Sequence, residues 1–492
     1  MIFSACFRFK DLANKATSPT ILVARSLSQF RVKRPPTICS SYAHPNGIPL
    51  GFPCRRIATF CDKTVTAVTS LDTSPSTAEI LAWSRESHRE GNVRTRKPAT
   101  SGVLWRIGVQ AQATIHIRNG GRLVDRRILL IGAGHSHIEV IRRWSEEKIP
   151  GVSLTVVDPS ATPVYSGMVP GYIAGQYQQR DLEIDLSGLC SRSGANFIRD
   201  AVVATDSAKS SVRCADGDEI DYDVASIDIG SAVADTDLPG VIEHALPSRP
   251  IGAFLRHIDA LANAGTATAD RPLLVVGAGA GGVEVALCLD ARLRASNRDL
   301  SPSRVQIVTA NRSLLEGGTP SAQRAIERQA RARGIIVHRG RKVQTVYADR
   351  VAFEDGEAIP CAGVAWVTGP AAIPVTAGFD LPKDDRGFIQ VDKTFRVRGV
   401  PNLFAVGDCA SLQGMKKAGV YAVRAGTVID ANLRAFVEGT QLRAYTPQSD
   451  FLSLLNLGNG EAVGTKWGVS WRGKSMMRLK DRIDRAFMDK YR

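Results

Sequence analysis

The chain lacks paired cysteines. Its nine cysteines, Cys6, Cys39, Cys54, Cys61, Cys190, Cys214, Cys288, Cys361 and Cys409, are scattered and form no CxxC pair. That argues against a zinc site or a disulfide framework and for a reducing compartment. Long hydrophobic runs are also lacking: no stretch approaches the ~20 uncharged apolar residues that a spanning helix needs. There are no interleaved aromatics of a nucleic-acid module, so the formal net charge of +15 is not read as a nucleic-acid footprint. Much of that excess sits in the first hundred residues and at the extreme C-terminus. What remains is a chain of 492 residues, 44% hydrophobic, long enough for two or three domains with sizeable cores.

Acids are scarce near the start. Arg8, Lys10, Lys15, Arg25, Arg31, Lys33, Arg34, Arg55 and Arg56 face only Asp11, amid frequent Ser and Thr. Residues 1–125 are therefore expected to be an organellar transit peptide followed by linker. The plastid is favoured, with the mitochondrion as the alternative, because Ser and Thr are common and no clear amphipathic Arg helix is visible.

At Arg126 the character changes. Ile128–Ile131 is a continuous apolar run, as expected of a central parallel strand buried on both faces. It enters Gly132-Ala133-Gly134, and then a helix through Ile138, Val140 and Ile141. A second strand ends in Asp158, where an acid binds a ribose hydroxyl. The same plan recurs at Leu273–Val276, with Gly277, Gly279 and Gly282 preceding a helix through Val285, Leu287 and Leu289. In such turns the first Gly permits the bend, the second admits a pyrophosphate, and the third lets helix pack on strand. The second copy is complete. In the first, His137 stands where the third Gly belongs, so looser helix–strand packing or a rotated helix is expected there. Two copies imply two mononucleotide-binding sheets.

Asn402–Asp408 reads as a short apolar strand ending in Gly407-Asp408, followed by a small-residue helix from Gly419 to Leu433. It resembles the second FAD fingerprint of the pyridine nucleotide-disulfide oxidoreductase superfamily. Ser226–Ser231, with Gly230, and Trp366–Gly369 resemble the strand-to-turn signatures of that superfamily. The resemblance covers about Arg126 to Tyr445. It implies an α/β fold with two Rossmann-like domains, the FAD domain being split around the NAD(P) domain, plus a small C-terminal α/β segment. The expected division is 126–250 and 385–445 for FAD, 265–375 for NAD(P), and 446–492 for the C-terminal segment.

Pro163–Gly171 carries no cysteine where disulfide reductases of the superfamily place a redox pair. The chain is similar instead to type II NADH dehydrogenases. It is closer to their relatives fused to selenide,water dikinase, through Gly134-His135-Ser136-His137, Tyr165–Met168 and Lys417–Arg424. The resemblance implies that Gly132, Gly134 and Asp158 hold the ADP half of FAD and Asp408 its ribitol. Gly277, Gly279 and Gly282 hold NAD(P)H, with Glu284 close to the nicotinamide. His135 is read as part of a helix N-terminus near the FAD phosphates, in preference to a proton relay. Cys409 is read as a buried core residue.

A hydride is thus expected to pass from NAD(P)H to FAD, and electrons on to a quinone. Glutamines that type II dehydrogenases place beside the quinone are here Val420 and Arg424, so Arg424 or Tyr421 is expected to contact the acceptor. No acid follows Val305–Val308 until Glu316, so nothing there repels NADPH, and Arg312 is a candidate for its 2′-phosphate. The alternatives are a soluble flavin reductase of a selenium, sulfur or other small substrate, and a non-catalytic flavin-bound sensor. Finally, Met476, Leu479, Ile483 and Phe487 share a helical face amid Arg478, Lys480, Arg482, Arg485 and Lys490. Such a helix either lies on an anionic membrane surface or docks on the protein.

Overall fold

The computed structural model describes residues 126–296 and 302–492. The expected transit segment and linker lie outside the described residues.

Two five-stranded sheets, each wholly parallel, organise the chain. The first runs in the order Leu403–Ala405, Val224–Ile227, Arg126–Ile131, Val152–Val157, Asn196–Ile198. Its central run Ile128–Ile131 is buried throughout, covered on both faces, which explains the absence of alternation. Each such side chain contributes roughly 1.5–3 kcal/mol when fully buried. Ile131 pairs with Val157 on one side and Ile227 on the other. The three strands therefore end together, and the turns that follow them meet at one sheet edge. The fifth strand arrives from much later in the chain, with Ala405 beside Ile227. This register carries Gly407-Asp408 to the same edge as Gly132.

The second sheet runs in the order Ile336–Arg339, Val305–Thr309, Leu273–Val276, Gly363–Trp366, Ala245–Pro247. Ala245–Pro247 was expected with the first domain; it pairs instead with Val364–Trp366 as the edge of the second sheet. Its three residues are too few for a periodicity to reveal. An antiparallel meander follows Ile336–Arg339, and its middle strand, Arg350–Phe353, turns at Glu354-Asp355.

The C-terminal segment is a three-stranded antiparallel sheet, Ser453–Asn456, Ala462–Lys466 and Val469–Gly473, followed by the helix Lys474–Met488. That helix docks on the protein through a face turned from the one expected from hydrophobic spacing, keeping Phe487 but not Ile483. Its buried residues are Met477, Lys480, Asp484, Phe487 and Met488, while Ile483 is exposed. Lys480 Nζ donates to Gly167 O at 2.7 Å and to Asp484 at 2.9 Å. A charge is tolerated inside only when so paired and hydrogen-bonded, and a pattern of apolar residues does not register it. Phe487 stacks on Tyr165 at 4.2 Å between ring centroids, and the Tyr491 hydroxyl donates to Glu139 at 3.1 Å. Among the described residues no helix is long and apolar enough to cross a membrane.

Candidate active site

The first glycine turn is shaped around one carboxylate. Gly132 adopts φ +85°, and the amide of Gly134 donates to the carbonyl of Asp228 at 3.0 Å. Asp228 Oδ2 accepts the Ser136 amide at 2.9 Å, capping the helix His135–Glu146. A Cβ at Gly134 would run into the same carboxylate, so the second glycine is needed for Asp228 as well as for a ligand. Burial pushes the Asp228 carboxyl up to about 7, against the pull of the Ser136 and His137 amides.

His137 is fully buried, and the packing around it is not looser. Its Nδ1 lies 2.6 Å from Gly132 O and its Nε2 2.8 Å from Ser226 Oγ. A carbonyl only accepts, so Nδ1 carries the proton and Nε2 accepts from Ser226. Hydrogen bonds across the helix–strand interface thus replace the close approach a glycine would allow. Asp158 reaches the same turn: its Oδ2 accepts the Ala133 amide at 2.7 Å and its Oδ1 that of Ser160 at 2.8 Å. Burial still raises its carboxyl above the usual range.

At the neighbouring strand ends, Asp408 accepts from Arg249 Nη2 at 3.2 Å and from Ser231 Oγ at 3.4 Å. Arg249 also donates to Ser231 O at 3.4 Å. His135 belongs to this group, since the charges of Asp408 and Arg249 both act on it. Burial, the largest influence, pulls the His135 imidazole down to about 4, and its Nε2 is buried without a hydrogen-bond partner. The space a Cβ would take at Gly230 is open, and Gly419, first residue of the helix Gly419–Glu438, lies next to Ser166. An unpartnered buried nitrogen, a guanidinium and an open glycine suit the phosphates and ribitol of FAD. Arg249 escaped the sequence reading because it lies outside every glycine motif.

A cavity of about 740 Å³ opens between the two domains. Gly277, Gly279 and Gly282 form one wall; Gly369, Arg249, Ser166 and Lys417 lie around it. A Cβ at Gly282 would strike the carbonyl of Gly277, whereas Gly279 and Gly369 face open space, as a nucleotide cradle requires. Glu284 faces the cavity, and its Oε1 accepts the Asn456 amide at 2.7 Å. Burial lifts its carboxyl to about 7, with Lys480 pulling it down and Asp484 pushing it up. Burial also lowers Lys417 below the usual lysine range.

Three expectations are placed differently or more sharply. Arg424 sits on the exposed face of its helix, outside the cavity, because Tyr421, Ala422 and Ala425 take the inward positions. Tyr421 is buried, its hydroxyl donating to Gln448 O at 3.1 Å. Arg312 is exposed and lines no part of the cavity; Asn311, Arg341 and Lys342 do. The Cys409 thiol is buried, donates to Val406 O at 3.1 Å and is pushed up to about 12 by burial, which leaves it inert.

Residues 126–426 match the pyridine nucleotide-disulphide oxidoreductase family. The chain belongs to that family. As a member, this oxidoreductase is NADH dehydrogenase-like, and its cofactors are FAD and NAD(P)H. An NADH dehydrogenase-like protein of Mycobacterium tuberculosis is 29% identical over 294 residues, covering 58% of this chain and 73% of the relative. Demethylphylloquinone reductase of Synechocystis is 24% identical, covering 58% and 72%. Among solved structures, NDH2 of Plasmodium falciparum with NADH has a TM-score of 0.63 at 14% identity, covering 75% of this chain and 99% of the other. That last likeness is one of fold.

Proposed function

We propose that this oxidoreductase is an NAD(P)H:quinone reductase, catalysing NAD(P)H + H⁺ + quinone → NAD(P)⁺ + quinol. When bound, FAD supplies the chemistry, accepting the hydride and passing two electrons on. Gly277, Gly279 and Gly282 hold the nucleotide pyrophosphate at the N-terminus of the helix Ala280–Ser296. Gly132, Gly134, His135 and Asp158 hold the ADP half of FAD, and Gly230, Gly407, Asp408 and Gly419 its ribitol and flavin end. Gly369 closes the cavity wall. Glu284 orients the nicotinamide and, with a carboxyl near 7, holds or releases a proton there at neutral pH.

One observation carries the reading. The second glycine turn lines a single cavity with Glu284, Lys417 and Arg249, and Arg249 also donates to Asp408 at the end of the Gly407-Asp408 strand; among the described residues no cysteine lines that cavity. The quinone-reducing relative supports the acceptor. Peripheral membrane contact is proposed for the hairpin of the C-terminal sheet, where Trp467 is 77% exposed with Lys466 Nζ 5.3 Å from its ring centroid, and Val469 and Trp471 are also open. Aromatics beside cations suit a lipid interface. An organellar site, the plastid in preference, follows from the N-terminal composition and the cyanobacterial relative. Anaerobic turnover with short-chain naphthoquinones and benzoquinones, read as quinol formed per nucleotide oxidised, tests the acceptor. A one-to-one yield supports the proposal; no quinol from either class contradicts it.

A further inference from the structure

The rim of the nucleotide cavity carries two cations on a segment that no motif marks. Past the strand Val305–Thr309 the chain offers Asn311 to the cavity and no carboxylate. The segment Gly340–Lys342, leaving the neighbouring strand, is tied to that tip. Gly340 N donates to Asn311 O at 3.2 Å, and Arg341 N donates to Thr309 O at 3.0 Å. Arg341 and Lys342 therefore line the cavity beside Asn311. Their counter-charges come from the turn after Phe353: Lys342 Nζ lies 3.5 Å from Glu354, and Arg341 Nη1 lies 2.7 Å from Asp355.

These pairs are poorly made. The Lys342–Glu354 pair is largely exposed, 67% and 57%, and such pairs are weak. Arg341 Nη1 is buried, yet its approach to Asp355 lacks hydrogen-bond geometry, so a desolvated donor is left without an acceptor. Such a donor is costly unless something else accepts from it. The guanidinium lies over the Phe353 ring, 5.4 Å from its centroid. The other cation of this strand end, Arg339, is already paired with Glu327 at 2.5 Å.

We propose that Arg341 and Lys342 take the 2′-phosphate of NADPH, with Glu354 and Asp355 as the anions it displaces, so that NADPH is preferred over NADH. The inference rests on the nucleotide-binding reading above. A phosphate monoester brings three strong acceptor oxygens and a charge of about −1.5 to −2. It can satisfy the guanidinium fork and the ammonium together, which neither carboxylate does. Asn311 places no negative charge against it.

The test measures affinities of the holoenzyme for NADPH, NADH, adenosine 2′,5′-bisphosphate and 5′-AMP. The double variant R341A/K342A should lower affinity for NADPH and the bisphosphate on the order of ten- to a hundredfold more than for their 2′-hydroxyl counterparts. The variant E354Q/D355N should tighten NADPH binding. Equal losses for both nucleotides in R341A/K342A would overturn the inference, as would a loss of NADH affinity in E354Q/D355N, which would assign that turn to the ribose diol. Binding of NADH alone by the wild-type protein overturns this inference and leaves the proposed function standing. Binding of neither overturns both.

Discussion

His137 and Ser226 are joined by a buried hydrogen bond of 2.8 Å that ties the first glycine-turn helix to the adjacent strand. The other ring nitrogen donates to Gly132 O, so in the neutral ring the bond runs from the Ser226 hydroxyl to Nε2. Burial accordingly holds His137 down at about 4, below its ordinary 6.5. A group depressed in this way adds stability above its unfolded pKa and loses it as pH falls toward the folded value. The melting temperature should therefore drop between pH 6.5 and pH 4, with His137 contributing on the order of 2–3 kcal/mol. Scanning calorimetry of wild type and His137→Gln across that range checks it: the variant should be less stable at pH 7 and less acid-sensitive.

Asp228 works in the opposite sense. Its carboxyl is raised to about 7, so the folded state holds a proton that the unfolded chain has already lost. Its contribution declines as pH rises from about 4 through 7. The ionised form also places a negative charge at the helix terminus proposed for the FAD phosphates. Wild-type FAD affinity, by equilibrium dialysis, should weaken from pH 6 to pH 8. Asp228→Asn should flatten that dependence and bind FAD more tightly at pH 8. A steeper dependence in the variant would contradict the assignment.

The glycine turns, the acid-tipped strand and the Gly407-Asp408 strand end were readable because backbone geometry dictates their residues locally. Gly277 and Gly282 stand where a carbonyl leaves no room for a Cβ, a demand that spacing records. Arg249, Asp228 and the Lys480–Asp484 pair were not readable as site residues. Each acquires its meaning from a partner far away in sequence: Asp408, Ser136 and Tyr165 respectively. Arg312 and Arg424 were plausible by position along the chain. Their strand end and helix, however, turn other residues inward, a choice set by packing that no local pattern carries.

Lys480 and Asp484 act on Glu284 with opposite signs, and Asn456 N, from the strand Ser453–Asn456, stabilises its charged form. Cys288, on Glu284's own helix, is also within its field. Lys480→Met should move the Glu284 limb of the pH–rate profile above 7, and Asp484→Asn should move it below. A purely structural role for the pair would slow turnover without shifting the limb in opposite directions. Glu284→Gln should remove the limb and cost roughly 10²–10⁴-fold if the carboxylate handles a proton.

Asp408 is the proposed acceptor for the ribitol, and it is held in place by Arg249 at 3.2 Å. Asp408→Ala should weaken FAD binding by ~1.5–3 kcal/mol, the usual loss when a charged hydrogen-bond partner is removed. Arg249→Ala should also weaken it, by freeing Asp408. Released flavin per mole of purified protein is the readout, and undiminished FAD in both variants would refute the role.

The central claim is that nucleotide and quinone exchange electrons through one flavin. Spectrophotometry of the anaerobic FAD-loaded protein, titrated first with NADPH or NADH and then with a quinone, tests it most directly. The account predicts that flavin absorbance near 450 nm bleaches with one equivalent of nucleotide and returns with one equivalent of quinone. A flavin that stays oxidised under excess of both nucleotides, or that bleaches but is not reoxidised by any quinone, would contradict it.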